Sequence, residues 1–324
     1  MKALQIEGTE GTKSLRLVDT TRPDPGPTEV LIGVKASGIN FAELEQTRGR
    51  YPLFKPLPFV MGFEAAGTVA AIGSLVTNVA VGDRVAALVS SGGFAEYAIA
   101  QASSAIPIPN GVTFSEATTL TVQGLSAYAI LKLAAKAQPS ESVLIQAAAG
   151  GVGLFLVQLA KILGMKQIIA LASSDDKLEI VKTLGADVAI DYTRAGWTDQ
   201  VLEATGGQGV DLVLQSVSGE IAEKSIKLIA PFGRIVVYGA GNVYDTIYPE
   251  QLALLIHNNQ SLIGFNIPTQ RPEQLGQCMG ELLELVSSGV LKLFAGTAYR
   301  LDQFADAFEA LSSRRTIGKV VLLP

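Results

Sequence analysis

The sequence predicts an α/β protein in two parts: a β-barrel-type part first, then a doubly wound parallel sheet. Three observations predict it. The apolar run Val143–Ala147 opens directly into the glycine turn Ala148-Ala149-Gly150-Gly151-Val152-Gly153 and a helix. Before it, short apolar segments alternate with Gly- and Pro-rich turns up to about Thr121. After it, strand and helix patterns alternate. At 324 residues the chain exceeds the size at which a single core keeps growing, so two domains are expected.

In chain order, Glu29–Ala36, Ala65–Ile72, Arg84–Leu88 and Ala95–Ile99 read as strands of the first part. Gln123–Ala135 reads as a helix. Val143–Ala147, Ile168–Ala172, Val188–Asp191, Leu212–Gln215, Ile235–Gly239 and Leu262–Phe265 are six short apolar runs suited to strands buried on both faces. The helix Leu154–Leu163, ended by Gly164, lies between the first two of these and completes a right-handed βαβ unit. Gln274–Ser288 and Phe304–Ser312 read as helices, and Lys319–Leu323 as a last strand. No internal repeat or low-complexity segment interrupts the pattern.

The glycine turn carries the first functional expectation. Glycines let the backbone approach a pyrophosphate, whose charge is met by unpaired N–H groups at a helix start. Its spacing, Ala147-x-x-Gly150-x-x-Gly153, departs from the commoner GxGxxG, and the strand before and helix after are what make it a dinucleotide motif. Sites that prefer NAD usually carry an acidic residue about twenty positions on, at the end of the second strand. Here Ser173 stands there, followed by Ser174 and Lys177. Hydroxyls and an ammonium in place of a carboxylate favour NADPH, and a bound phosphate would compensate a cation in the first turn of a helix. A second reading has Ser174 capping that helix, Asp175 and Asp176 meeting its dipole, and Lys177 on the solvated surface.

Composition excludes other classes. Apolar residues make up 48% and charged residues 17%, as in a compact α/β enzyme, and the net charge of −5 with no basic run argues against nucleic acid or an anionic membrane surface. Ser142–Ala160 is uncharged but contains three glycines, two glutamines and the turn just described, so it is not read as a membrane span. The first residues, Met1-Lys2-Ala3-Leu4-Gln5-Ile6-Glu7, show no signal-peptide pattern, and a cytoplasmic protein is expected. One cysteine, Cys278, and one histidine, His257, cannot form a disulfide or a four-ligand zinc site, and Cys278 is expected to be a buried small residue.

Taken together, Gly38-Ile39-Asn40-Phe41, Gly62-Phe63-Glu64-Ala65-Ala66-Gly67, Gly82-Asp83-Arg84-Val85, Gly93-Phe94-Ala95-Glu96-Tyr97, Ala147–Gly153, Gly185-Ala186-Asp187 and Ser313–Val320 resemble the medium-chain dehydrogenase/reductase superfamily. Within it, the resemblance is to the zinc-free quinone oxidoreductases related to zeta-crystallin, over the whole chain. It implies a GroES-like catalytic domain, residues 1–121 and 270–324, and a Rossmann domain, residues 122–269, with NADPH in the cleft between them. Zinc-dependent relatives have a cysteine near Ser37–Asn40 and a histidine where this chain has Phe63; both ligands are absent here. So is the cysteine-rich lobe, since Tyr97 runs on directly to Ala98.

By motif match, Gly150, Gly151, Val152 and Gly153 hold the pyrophosphate. Ser173, Ser174, Lys177 and Tyr192, with Arg314 as a further contact, surround the 2′-phosphate. Ser216, Gly239, Phe265, Asn266 and Ile267 flank the ribose and nicotinamide. The sequence departs from the family around Ser216, reading Gln215-Ser216-Val217-Ser218 where relatives often have Asp-Ser-Val-Gly. Tyr51 and Asn40, at positions lining the family's substrate cleft, offer a phenol and an amide as donors to a carbonyl oxygen that gains negative charge. For Asn40 a turn residue bonding its own backbone, and for Tyr51 a rim aromatic before Pro52, remain as alternatives. Glu64 is expected either to pair with a buried arginine or backbone amide or to act in chemistry.

The expected activity is NADPH-dependent, metal-free hydride transfer to a quinone or related conjugated carbonyl. A double-bond reductase for enones or enals shares every cofactor residue. A nucleotide-loaded binding protein with little turnover, like the vesicle-amine-transport-type members, is the alternative from another class. The edge strand Leu262–Phe265 leads to the expectation of a homodimer.

Overall fold

A computed structural model describes the chain except for Leu53, Phe54, Ser90 and residues 241–248, and describes Pro249 and Glu250 by backbone alone. Its strands are β1 (Lys2–Ile6), β2 (Leu15–Asp19), β3 (Glu29–Ile39), β4 (Phe59–Val60), β5 (Glu64–Ile72), β6 (Arg84–Leu88), β7 (Tyr97–Gln101), β8 (Ala105–Pro107), β9 (Ser142–Ile145), β10 (Gln167–Ala172), β11 (Val188–Asp191), β12 (Val210–Gln215), β13 (Ile229–Tyr238), β14 (Ser261–Phe265), β15 (Ala295–Arg300) and β16 (Lys319–Leu323). They fall into two compact units, Met1–Val122 with Val286–Pro324, and Gln123–Leu285.

In the first unit a small sheet, β2-β1-β4, accompanies a larger one ordered β15-β16-β3-β5-β6-β8, with β7 also paired to β3. The long strand β3 has three partners: β5, β7 and the chain's last strand, β16. Gly67 on β5 has no room for a side chain, because a Cβ there would run into the Gly33 carbonyl of β3. Leu4, Ile6, Ile39, Leu44, Phe94, Phe308 and Leu322 form one core, and Val30, Ile32, Val69, Val85 and Ala98 belong to another.

The second unit is a parallel sheet in the order β11-β10-β9-β12-β13-β14. Consecutive strands leave β9 in one direction and β12 in the other, so the strand order reverses between those two. At that reversal open α/β sheets gather ligands, outside the carboxyl ends of the strands. Leu144, Ile169, Leu171, Val213 and Ile235 pack in its core with Trp197.

Several elements differ in extent from the sequence pattern. The strand expected at Ala95–Ile99 lies at Tyr97–Gln101, because its ladder runs along Glu29–Gly33, and Ala95 makes a lone bridge to Ala3. β13 begins at Ile229, which pairs with Val210 before a register shift. The helix expected from Leu154 starts at Gly151. The helix expected from Gln123 is entered earlier, at Phe114, where Thr113 and Glu116 form a reciprocal capping box. It continues through a π-helical turn, Leu120–Gly124, to a second, Ile130–Ala135.

The chain returns to the first unit at Val286 rather than at residue 270. The helix Pro272–Ser287 stays mostly with the second unit because its Glu281 accepts hydrogen bonds from Tyr128 at 2.6 Å and Lys132 at 2.5 Å. Cys278 on that helix is fully buried. Among the described residues no helix is long and apolar enough to cross a membrane.

Candidate active site

In the second unit the expected cofactor residues sit at the carboxyl ends of the parallel strands. After β9, Ala147 takes a left-handed conformation (φ 47°), and the Gly150 N–H donates back to its carbonyl at 2.8 Å. Gly150 then caps the helix Gly151–Ile162, which has no acidic residue in its first turn. The first intrahelical bond is that of Leu154 to Gly150, so the N–H groups of Gly151, Val152 and Gly153 precede the helical ladder and suit an anion.

The glycines have distinct reasons. A Cβ at Gly153 would lie 2.6 Å from the Ala148 Cα, so this glycine lets the helix start pack on the preceding turn. A Cβ at Gly151 would collide with the side chain of Gln123. At Gly150 only the Ala147 carbonyl, at 3.1 Å, would be approached.

At the end of β10, Ser173 is followed by Ser174, the N-cap of the helix Asp175–Thr183. The Ser174 side chain makes no capping hydrogen bond, contrary to the reading in which capping is its role. Lys177 is half-buried, with its ammonium 3.4 Å from the Ser173 hydroxyl, and burial holds its pKa below the ordinary lysine value. Tyr192 joins them because β11 is the neighbouring strand, and its N–H donates to the Ala172 carbonyl at 3.1 Å. Two aspartates beside the group, Asp175 and Asp191, are paired with Arg194. Arg194 contacts Asp175 at 3.1 Å and Asp191 at 2.9 Å, and the Asp191 carboxyl's pKa is lowered chiefly by the Thr193 hydroxyl and to a smaller extent by Arg194. Sequence reasoning missed Arg194, although Tyr192-Thr193-Arg194 directly follows β11.

Across the reversal point, Gln146 organises the ends of β9 and β12. Its amide oxygen accepts from the N–H groups of Ser216 (3.1 Å) and Val217 (2.9 Å), and its amide nitrogen donates to the Ser225 hydroxyl at 2.7 Å. Gly239 follows β13 in a left-handed conformation (φ 88°). Phe265 ends β14 in register with Tyr238, and Asn266 begins the short turn Ile267–Thr269. Arg314 belongs to the first unit, in a left-handed conformation (φ 55°) after the helix Phe304–Ser312.

The first unit holds a buried charged cluster at the junction of β3, β5 and β16. Asn40 ends β3 and precedes the helix Phe41–Thr47; its amide nitrogen donates to Glu64 at 2.9 Å and its amide oxygen accepts from the Lys319 ammonium at 2.6 Å. The Asn40 side chain therefore bonds across the sheet as well as standing at the helix N-cap, where Asn40 and Glu43 form a capping box. Lys319 also pairs directly with Glu64, both side chains being fully buried. The partner of Glu64 is thus a lysine rather than the expected arginine or backbone amide. The Thr121 hydroxyl donates to the other Glu64 oxygen at 2.5 Å.

Glu43, also fully buried, accepts from the N–H groups of Asn40 (2.9 Å) and Phe63 (3.1 Å). Burial pushes its carboxyl up to about 7; the Lys319 charge opposes the rise and the Glu64 charge adds to it. Tyr51 packs its ring 6.5 Å from that of Phe63, and burial, then the Glu43 charge, raise its phenol pKa. Lys319 and Glu43 were missed in the sequence. A lone lysine opening the apolar strand Lys319–Leu323 was the available signal. Among the described residues no group of three His, Cys, Asp or Glu could hold a metal ion.

A GroES-like unit joined to a Rossmann-type sheet, with an anion-ready helix start at the strand reversal, is the architecture of the medium-chain dehydrogenases/reductases. Residues 26–110 match the alcohol dehydrogenase GroES-like domain and residues 151–286 match the zinc-binding dehydrogenase family. The quinone oxidoreductase of Pseudomonas aeruginosa is 33% identical over 100% of this chain and 99% of its own length. The solved structure of Escherichia coli quinone oxidoreductase complexed with NADPH is 30% identical and covers 100% of both chains with a TM-score of 0.91. A phenolphthiocerol/phthiocerol polyketide synthase of Mycobacterium tuberculosis is 33% identical over 98% of this chain, which spans only 14% of the length of that relative. The chain belongs to the quinone oxidoreductase family of the medium-chain dehydrogenases/reductases.

Proposed function

We propose that the protein is an NADPH-dependent, zinc-independent oxidoreductase that reduces a quinone or related conjugated carbonyl, as a homodimer. The observation that carries this reading is the pairing of two features in the second unit. The helix start Gly151–Gly153 is free of acidic side chains, and Ser173, Lys177 and Tyr192 cluster at the ends of β10 and β11. The cofactor, when bound, supplies the hydride.

The chain's own residues bind and orient it. Gly150, Gly151, Val152 and Gly153 meet the pyrophosphate with backbone N–H groups, and Ser173, Ser174, Lys177 and Tyr192, with Arg314, meet the 2′-phosphate. Ser216, Gly239, Phe265, Asn266 and Ile267 flank the ribose and nicotinamide. Tyr51, whose raised pKa keeps its phenol protonated, donates to the carbonyl oxygen as charge develops there. The second hydrogen of the Asn40 amide is the other donor, the first being held by Glu64. The Lys319 ammonium lies in the first unit's Asn40–Glu64 cluster, and no metal enters the chemistry. Exposed Leu262 on the edge strand β14 supports pairing with a second copy there.

The test is NADPH oxidation, with NADH in parallel, against an ortho-quinone, a para-quinone and a simple enone in the presence of a metal chelator. Chelator-insensitive quinone turnover with NADPH is expected. Turnover of the enone alone would make the protein a double-bond reductase, and NADPH binding without turnover would make it a binding protein. Light scattering checks the dimer.

A further inference from the structure

Gln123 occupies an unusual place for an amide side chain. It lies in the π-helical turn Leu120–Gly124, a rare conformation that concentrates at functional positions. Only 8% of the residue is exposed, and its amide oxygen is buried without a hydrogen-bond donor. The carboxamide rests against Gly151, the first residue of the helix Gly151–Ile162, so closely that a Cβ on that glycine would collide with it.

The oxygen limits what can complete it. Pyrophosphate oxygens are acceptors at neutral pH and cannot serve, whereas the ribose rings that flank a pyrophosphate carry hydroxyl donors. The position in the sheet chooses between the two riboses. The Ser173–Lys177–Tyr192 cluster stands at the ends of β10 and β11, on one side of the reversal point. Gln123 enters from the other side: the helical run that contains it continues to Ala135, whose carbonyl accepts from Arg234 of β13 at 2.6 Å.

We propose that the Gln123 amide oxygen accepts a hydrogen bond from a hydroxyl of the ribose on the nicotinamide side of bound NADPH, fixing that ribose against the helix start. Gln123 is then a cofactor contact beyond the glycine motif, and Gly151 is a glycine to admit Gln123 as well as the pyrophosphate. The inference rests on the NADPH reading above.

The experiment compares 2′-phospho-ADP-ribose with 2′-phospho-ADP, which lacks the second ribose and carries an additional charge on its terminal phosphate, by calorimetry on the full chain. In the unaltered protein the ribose should improve affinity, since one net hydrogen bond corresponds to roughly 2- to 10-fold. Gln123→Met should abolish that ratio, whereas Gln123→Glu keeps an acceptor and should retain it while weakening both ligands together through its charge. A ratio near one in the unaltered protein overturns the inference, as does an unchanged ratio in Gln123→Met. If Gln123→Met does not fold, the unaltered protein and Gln123→Glu decide: a ratio lost in Glu overturns the inference, and a ratio kept supports it. Failure of the unaltered protein to bind NADPH at all is a separate result, which removes the NADPH reading itself.

Discussion

The Lys319 ammonium donates to the Asn40 amide oxygen at 2.6 Å across a sequence separation of 279 residues. The bond ties the start of the chain's last strand to the end of β3, and Glu64 on β5 takes the same ammonium. A fully buried cation is tolerable only with such partners, because an unpaired charge in a dry interior carries a large desolvation cost.

Removing the cation while leaving its carboxylate should therefore be severe. Lys319→Met is expected to destabilise the protein by about 3–5 kcal/mol in urea unfolding. Adding Glu64→Gln should recover part of that loss. A single-variant loss below about 1 kcal/mol would show that the cluster contributes little net stability.

Glu43 gives a pH dependence of definite sign. Burial raises its carboxyl in the folded protein to about 7 from an ordinary 4.5, so the folded state holds a proton that the unfolded state gives up. This contribution is fully present below pH 4.5 and is lost as pH rises through about 7. It amounts to about 3 kcal/mol at 1.36 kcal/mol per pH unit. The stability difference between the unaltered protein and Glu43→Gln should shrink by that order over the window. A difference that stays flat would place the proton elsewhere.

Charge reversal at Lys177 should discriminate between the two nicotinamide cofactors. Lys177→Glu is expected to weaken NADPH by roughly 10- to 100-fold, as expected for losing a hydrogen bond to a charged group, while NADH changes far less. Equal losses for both would remove the 2′-phosphate role.

Two neighbouring glycines should respond differently to the same change. Gly153→Ala drives a Cβ to 2.6 Å from the Ala148 Cα, and it should cost about 1–3 kcal/mol and displace the helix start, lowering NADPH affinity. Gly150→Ala has an ordinary backbone conformation (φ −78°) and only a 3.1 Å approach to the Ala147 carbonyl, so its stability should change little. Thermal melts and NADPH titrations of both variants check the contrast.

Tyr51→Phe removes the phenol donor without disturbing the ring packed on Phe63. Loss of an oxyanion donor typically costs about 10²-fold or more in kcat. Steady-state kinetics with the best quinone should show that fall in kcat with NADPH affinity unchanged; an unaltered kcat would assign Tyr51 to the rim alone.

Residue order alone was enough to specify the parallel sheet and the place of the glycine turn. Apolar runs, glycines and a helical pattern are local signals, and the strands Val188–Asp191 and Lys319–Leu323 are found at the limits their sequence patterns predict. The capping box at Thr113 and Glu116 was equally legible, and reading it would have started that helix correctly. Which side chains meet was settled by the three-dimensional pairing of distant elements. Lys319, Glu64, Glu43 and Asn40 converge because three strands distant in sequence share one sheet, and Gln123 reaches Gly151 because a π-helical turn aims it there. Residue type and spacing carry a local period, whereas the pairing of buried polar groups depends on sheet order and register, which no local period encodes.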